Sequence, residues 1–124
     1  MKAVLVIGSN CSGRHEMMSR ALRFLEKTVT LRQTSPVYES PDCLGSGIPY
    51  LNLVASIETE LSEGFLISVC KDFEKACGRT DERKKAGIVD LDIDVVVWGS
   101  RVIRPADFSA SYFKTGYASL DPLD

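Results

Sequence analysis

The sequence predicts an α+β fold of the ferredoxin-like kind, β-α-β-β-α-β, with helices packed on an antiparallel sheet. Three observations predict it. Residues 14–27 and 62–77 repeat apolar side chains at helical spacing. Residues 2–7, 29–38, 50–60 and the acidic stretch within 87–99 are apolar, β-branched or alternating, as strands are. The two helical stretches fall after the first strand and after the third, with turn-forming residues around them.

The first strand, Lys2 to Ile7, is a short apolar run that suits a buried strand and is too brief for the core of a signal peptide. Gly8-Ser9-Asn10-Cys11-Ser12-Gly13 makes a turn. A helix from Arg14 to Lys27 places Met17, Met18, Ala21, Leu22 and Leu25 on one face. Ser12 is its expected N-cap, and Glu16 suits the positive end of the helix dipole. The second strand, Val29 to Tyr38, contains Pro36, which predicts an edge or a bulge at its far end.

Residues 39–48 are rich in breakers and read as a loop. The third strand, Tyr50 to Glu60, turns Leu51, Leu53, Ala55 and Ile57 one way and Tyr50, Asn52, Ser56 and Glu58 the other. Ser62 caps a second helix to Cys77, with Phe65, Leu66, Val69, Cys70, Phe73, Ala76 and Cys77 as its apolar stripe and Gly78 as its left-handed end. A charged loop over residues 79–88 precedes the acidic strand. A Gly-Ser turn, a short Val102-Ile103 strand and a tail with one short helix complete the expectation.

With 124 residues, the chain is expected to form a single domain, 1–124. Its 15 basic and 17 acidic residues leave a net charge of −2, which argues against nucleic-acid or anionic-membrane partners. No apolar run reaches the length of a membrane span. Cys11, Cys43, Cys70 and Cys77 form no C-x-x-C pair and no zinc pattern, so a reduced, cytoplasmic protein is expected.

The chemistry concentrates in Asp90-Leu91-Asp92-Ile93-Asp94-Val95-Val96-Val97-Trp98-Gly99. Strand alternation lines Asp90, Asp92 and Asp94 on one face and Leu91, Ile93, Val95 and Val97 on the other. Like charges so placed need water or a cation between them. A magnesium ion takes one or two protein carboxylates and leaves its other positions to water and phosphate. Read alone, the segment fits such a site or a solvated acidic face.

Taken in order, several pieces resemble the 6-hydroxymethyl-7,8-dihydropterin pyrophosphokinase family. They are Gly8-Ser9-Asn10, Ser35-Pro36-Val37-Tyr38-Glu39-Ser40-Pro41, Tyr50-Leu51-Asn52, Glu74 with Gly78-Arg79, and the acidic run before Trp98-Gly99. The resemblance covers about residues 3 to 104 and implies transfer of pyrophosphate from Mg-ATP to the hydroxymethyl oxygen of a reduced pterin, in folate biosynthesis. It implies two magnesium ions held by an aspartate pair. Counting without a gap from Gly78 to Trp98-Gly99 puts that pair at Asp92 and Asp94, and the competing register uses Asp90 and Asp92.

For the pterin, the resemblance points to Tyr50, Asn52, Ser40 and Pro41 and to the backbone near Leu44 and Gly45. Glu74 would face the phosphate side. Arg79, with Lys85 from the basic cluster Arg83-Lys84-Lys85, would serve the transferring phosphoryl group.

The chain also departs from the family. Ala86-Gly87-Ile88-Val89 stands where Trp-Gly-Pro-Arg is usual, and Ser111-Tyr112 stands near the usual Pro-His. The expectation is therefore a slow or divergent enzyme. The alternative is a non-catalytic relative that binds pterin or nucleotide as a regulator or partner. An RNA-binding domain is the weakest reading, because the strands lack paired base-stacking aromatics.

Overall fold

The structure, a computed structural model, describes residues 1–41 and 47–122. The elements are β1 (Lys2–Ser9), α1 (Arg14–Thr28), β2 (Thr30–Thr34), β3 (Tyr38–Ser40), β4 (Tyr50–Glu58) and α2 (Glu63–Ala76). They continue with α3 (Asp81–Lys85), β5 (Asp92–Trp98), β6 (Arg101–Val102), α4 (Pro105–Ser109) and α5 (Ser111–Tyr117). One antiparallel sheet runs β2-β4-β1-β5-β6, with β3 also paired to β4. This is the ferredoxin-like α+β arrangement, with α1 and α2 packed on one face of the sheet and α5 on the other.

The expected second strand is two strands. Pro36 brings no N–H to the ladder, and Ser35 bridges the break. Its amide donates to Val54 O at 2.8 Å, and its hydroxyl accepts from Val54 N at 2.9 Å. Both halves therefore stay on β4.

One face of the sheet carries the larger core. Leu5, Ile7, Leu53, Ile57 and Ile93 pack against Met18, Ala21 and Leu25 of α1 and Leu66 and Cys70 of α2. The opposite face holds a smaller cluster of Val6, Val54, Val96, Val97 and Phe113, roofed by the tail. The tail forms two short helices where one was expected. A Cβ on Gly116 would lie 2.6 Å from Val54 Cγ2 and 2.7 Å from the Tyr38 hydroxyl, so α5 seats there only as glycine. The Tyr38 hydroxyl donates to Tyr112 O, which fastens α5 to β3.

Several expectations are corrected. A bulge against Val4/Leu5 pairs Leu5 with Val95 and Val4 with Val97. The extra residue sends Val96 and Val97 both into the smaller cluster and returns Trp98 to the larger one. Val97 thus does not share a face with Val95. The N-cap position of α1 is Gly13, with no side-chain bond, rather than Ser12. Phe65 and Ala76, expected in the apolar stripe of α2, are exposed, while Glu74 is buried. The charged loop contains α3, whose first turn is capped by Thr80 accepting from Arg83 N. Ser62 caps α2 as expected by accepting from Phe65 N, and Gly78 is left-handed at φ +103°. Among the described residues no helix is long and apolar enough to cross a membrane.

Candidate functional site

The antiparallel order brings the end of β1 to the starts of β4 and β5. Tyr38, Asn52, Gly8 and Asp92 form one row across β3, β4, β1 and β5, because each pairs with the next. Val54, Val6 and Asp94 form a neighbouring row. Above these rows lies a cavity of about 180 Å³, lined by Val6, Gly8, Ser40, Pro41, Tyr50, Asn52, Asp92, Asp94 and Tyr112. Gly8 keeps its floor open, since a Cβ there would stand 3.3 Å from Asn52 Oδ1 and 3.7 Å from Tyr50 Cδ1. Asn52 is buried and donates from Nδ2 to Ser40 Oγ at 2.7 Å, which fixes the orientation of its amide.

The other wall is a charge network. Glu74, on α2, is only 2% exposed and would be costly there without partners. It accepts from Ile93 N at 2.7 Å, from Arg79 at 2.9 Å and from Lys71 Nζ at 3.2 Å. Arg79 also donates to Asp92 at 2.8 Å and to Leu91 O at 3.4 Å. Lys71 Nζ lies 3.2 Å from Asp94 Oδ1 and 3.8 Å from Asp92 Oδ1. Arg104 lies 3.8 Å from Asp94 and is held by Asp107, which also accepts from the Tyr112 hydroxyl.

Burial, and then the charge of Asp92, push the Asp94 carboxyl up to about 7. Burial works against ionised Asp92 as well, but hydrogen bonds from Asp94 and Arg79 hold it below the usual carboxylate range. Glu74 is raised, chiefly by burial.

The loop before β5 is clamped to the turn after β1. Asn10 N donates to Val89 O at 3.0 Å, its Nδ2 donates to Gly87 O at 2.8 Å, and its Oδ1 accepts from Val89 N at 2.6 Å. That clamp sets where the acidic strand begins. Asp90 lies outside the strand and does not join the other two acids. Arg83 grips it with both arms of its fork, at 2.7 and 2.8 Å.

The structure thus brings together Asp92, Asp94, Tyr50, Asn52, Ser40 and Pro41 around one cavity, with Arg79 and Glu74 directly behind Asp92. It does not bring Lys85 there. Lys85 ends α3, is exposed and makes no ion pair among the described residues. Leu44 and Gly45 lie outside the described residues. Sequence reasoning passed over Lys71 and Arg104. Lys71 was detectable, since it lies three residues before Glu74 and so shares its helix face. Nothing local marks Arg104.

The donor set fits magnesium. Among the described residues no group of three His, Cys, Asp or Glu side chains could hold a metal alone. Two same-strand carboxylates at the edge of a cavity match an ion that draws its remaining ligands from water and phosphate. A divalent ion would also offset the burial of Asp94 and its repulsion by Asp92, which together push its carboxyl up to about 7.

Fold and site define an α+β domain that presents an aspartate pair and a buried amide to the same cavity. The profile of the family 7,8-dihydro-6-hydroxymethylpterin-pyrophosphokinase (HPPK) matches residues 4–120, and the chain belongs to that family. It is 34% identical over 104 residues to a 2-amino-4-hydroxy-6-hydroxymethyldihydropteridine pyrophosphokinase of Aquifex aeolicus, covering 81% of this chain and 62% of that protein. It is 32% identical over 105 residues to the protein of the same name in Haemophilus influenzae, covering 82% and 65%. A folate synthesis bifunctional protein of Chlamydia muridarum is 35% identical over 102 residues, covering 77% of this chain and 22% of that protein. The chain therefore spans less than two thirds of the length of each of these relatives.

Proposed function

We propose that the chain transfers pyrophosphate from Mg-ATP to the hydroxymethyl group of 6-hydroxymethyl-7,8-dihydropterin. The observation that carries this reading is the shared cavity of Asn52 and Tyr50 with Asp92 and Asp94. Family membership supplies the reaction class. The hydroxymethyl oxygen attacks the β-phosphorus and loses its proton to water, the bond from that phosphorus to the oxygen bridging the α-phosphate breaks, and AMP leaves.

In this reading Asn52 donates to and accepts from the amino-ketone edge of the pterin, oriented by Ser40. Tyr50 and Pro41 complete the apolar wall of the cavity. Asp92 and Asp94 hold the magnesium, with two ions expected alongside ATP. When bound, the metal supplies charge neutralisation to the phosphates, the main requirement of phosphoryl transfer. Arg79 keeps Asp92 ionised and aimed, and Glu74 keeps Arg79 in place. Arg79 and Lys71 are the cations closest to the pair, and Lys85 would reach it only if α3 moved.

The test is formation of AMP and pterin pyrophosphate from magnesium-ATP and the hydroxymethyl-dihydropterin. Turnover lost on replacing Asp92 and Asp94 by Asn supports the reading. Ligand binding without any turnover in the unaltered chain would overturn it.

A further inference from the structure

The side chain of Lys71 is unusual among the groups around the aspartate pair. Its ammonium touches three carboxylates at once: Asp94 at 3.2 Å, Glu74 at 3.2 Å and Asp92 at 3.8 Å. It therefore stands against the oxygens that a divalent ion would take. We propose that Lys71 is a displaceable cation of this site. Its ammonium occupies the aspartate pair while no divalent ion is bound, and it leaves the pair for the polyphosphate when one binds. The inference rests on the reading of Asp92 and Asp94 as metal ligands.

Among the described residues three cations approach the pair, and they differ in how firmly they are held. Arg79 is fixed by Glu74, Asp92 and the carbonyl of Leu91, and its side chain is 21% exposed. All three bonds leave from its Nη1, which ties the guanidinium to two acids and a carbonyl at once. Arg104 is tied to Asp107 and stands 3.8 Å from Asp94 alone. Lys71 is 41% exposed, carries a compact charge on a flexible stem, and makes only single contacts to each acid.

Charge balance supplies the reason for both positions. Two aspartates two residues apart, with Asp94 buried, repel each other when both are ionised unless a cation intervenes. Lys71 intervenes between them without any metal. A divalent ion on the same oxygens then repels the ammonium at close range. The partly exposed side of Lys71 gives it a way out, and Glu74, at the base of the same helix face, keeps it near. Released there, the ammonium is positioned to meet the negative charge that a nucleotide brings with the metal.

The experiment compares the unaltered chain with Lys71→Gln, using manganese as the metal probe without nucleotide, followed by electron paramagnetic resonance. Lys71→Gln is expected to bind manganese about ten-fold more tightly, the scale of one like-charge repulsion removed at a partly screened site. The same variant is expected to bind a non-hydrolysable ATP analogue with magnesium about ten-fold more weakly, having lost one phosphate contact. Opposite shifts support the proposal.

A residue that only props the fold would weaken both affinities, and that result overturns it. So does equal manganese affinity in the two proteins. Lys71→Met, which keeps the apolar part of the stem, serves if the Gln variant does not fold. The Asp92→Asn, Asp94→Asn double variant separates the two levels. If it loses manganese while Lys71→Gln equals the unaltered chain, only the role of Lys71 fails. If it binds manganese as the unaltered chain does, the metal reading itself fails, and the role of Lys71 with it.

Discussion

Asn52 and Asp92 stand on either side of Gly8 in one row of the sheet, each paired with that glycine from a neighbouring strand. The residue between the buried amide and the acidic pair is thus the one residue type without a side chain. A Cβ there would meet Asn52 Oδ1 at 3.3 Å, close enough to force the amide aside. Gly8→Ala should fold normally and weaken pterin binding by about 1–2 kcal/mol, the scale of a disturbed buried hydrogen bond. Calorimetric titration with the hydroxymethyl-pterin checks this, and unchanged affinity would remove Gly8 from the pocket.

Asn52→Ala removes the amide itself. Its expected cost in pterin affinity is about 1–3 kcal/mol, because polar groups of the ligand lose their partner in a buried place. Ser40 also loses its bond from Nδ2, so stability should fall modestly as well. A thermal melt beside the titration separates the two effects.

Replacing Asp92 and Asp94 together by Asn should abolish magnesium-dependent ATP binding while leaving the far-ultraviolet circular dichroism unchanged. The fold should survive because the substitution keeps the shape of both side chains and leaves Arg79 and Lys71 paired with Glu74. Magnesium-dependent binding that persists in the double variant would place the metal elsewhere.

The Asp94 carboxyl should titrate near 7 in metal-free protein, pushed up first by burial and then by the charge of Asp92. The folded state therefore favours its protonated form. This group withdraws stability as pH rises from the ordinary value of 3.8 through about 7, and returns it as pH falls through the same window. Carbon-13 NMR of the carboxyl follows the titration directly. Asp92→Asn should lower the midpoint, since one of its two main causes is gone, and saturating magnesium should lower it in the unaltered chain. A midpoint near 3.8 without metal would refute the account.

Val89 stands where the family usually carries arginine, and restoring that arginine is an obvious way to test whether the proposed transfer can be accelerated. The structure argues against it. Val89 is 5% exposed, and its amide and carbonyl are both bonded to Asn10. Val89→Arg should destabilise the protein by about 2–4 kcal/mol through an unpaired buried charge, and raise no rate. Denaturant unfolding checks the stability, and the AMP assay the rate. Ala86 is exposed, so Ala86→Trp is expected to be tolerated.

The sequence by itself determined the features that depend on neighbours along the chain. Alternation at residues 50–58 put Tyr50 and Asn52 on one face, and alternation at residues 92–94 did the same for Asp92 and Asp94. Ser62 and Gly78 marked the ends of α2 by local backbone chemistry. The tertiary structure alone decided which of these faces meet and which charges are taken. Only the pairing of β1 with β5 reveals the bulge at Val96, because a bulge is a count of two residues against one on a different strand. Asp90 is removed from the acidic trio by Arg83, which a one-turn helix aims at it. Glu74 is buried because α2 lays it against the amide of Ile93, and Lys71 and Arg104 reach Asp94 from elements 23 and 10 residues away in the chain. Periodicity reports which way a side chain leaves its own backbone. What it meets there is set by packing between elements, where burial and opposite charge make a contact that no local pattern encodes.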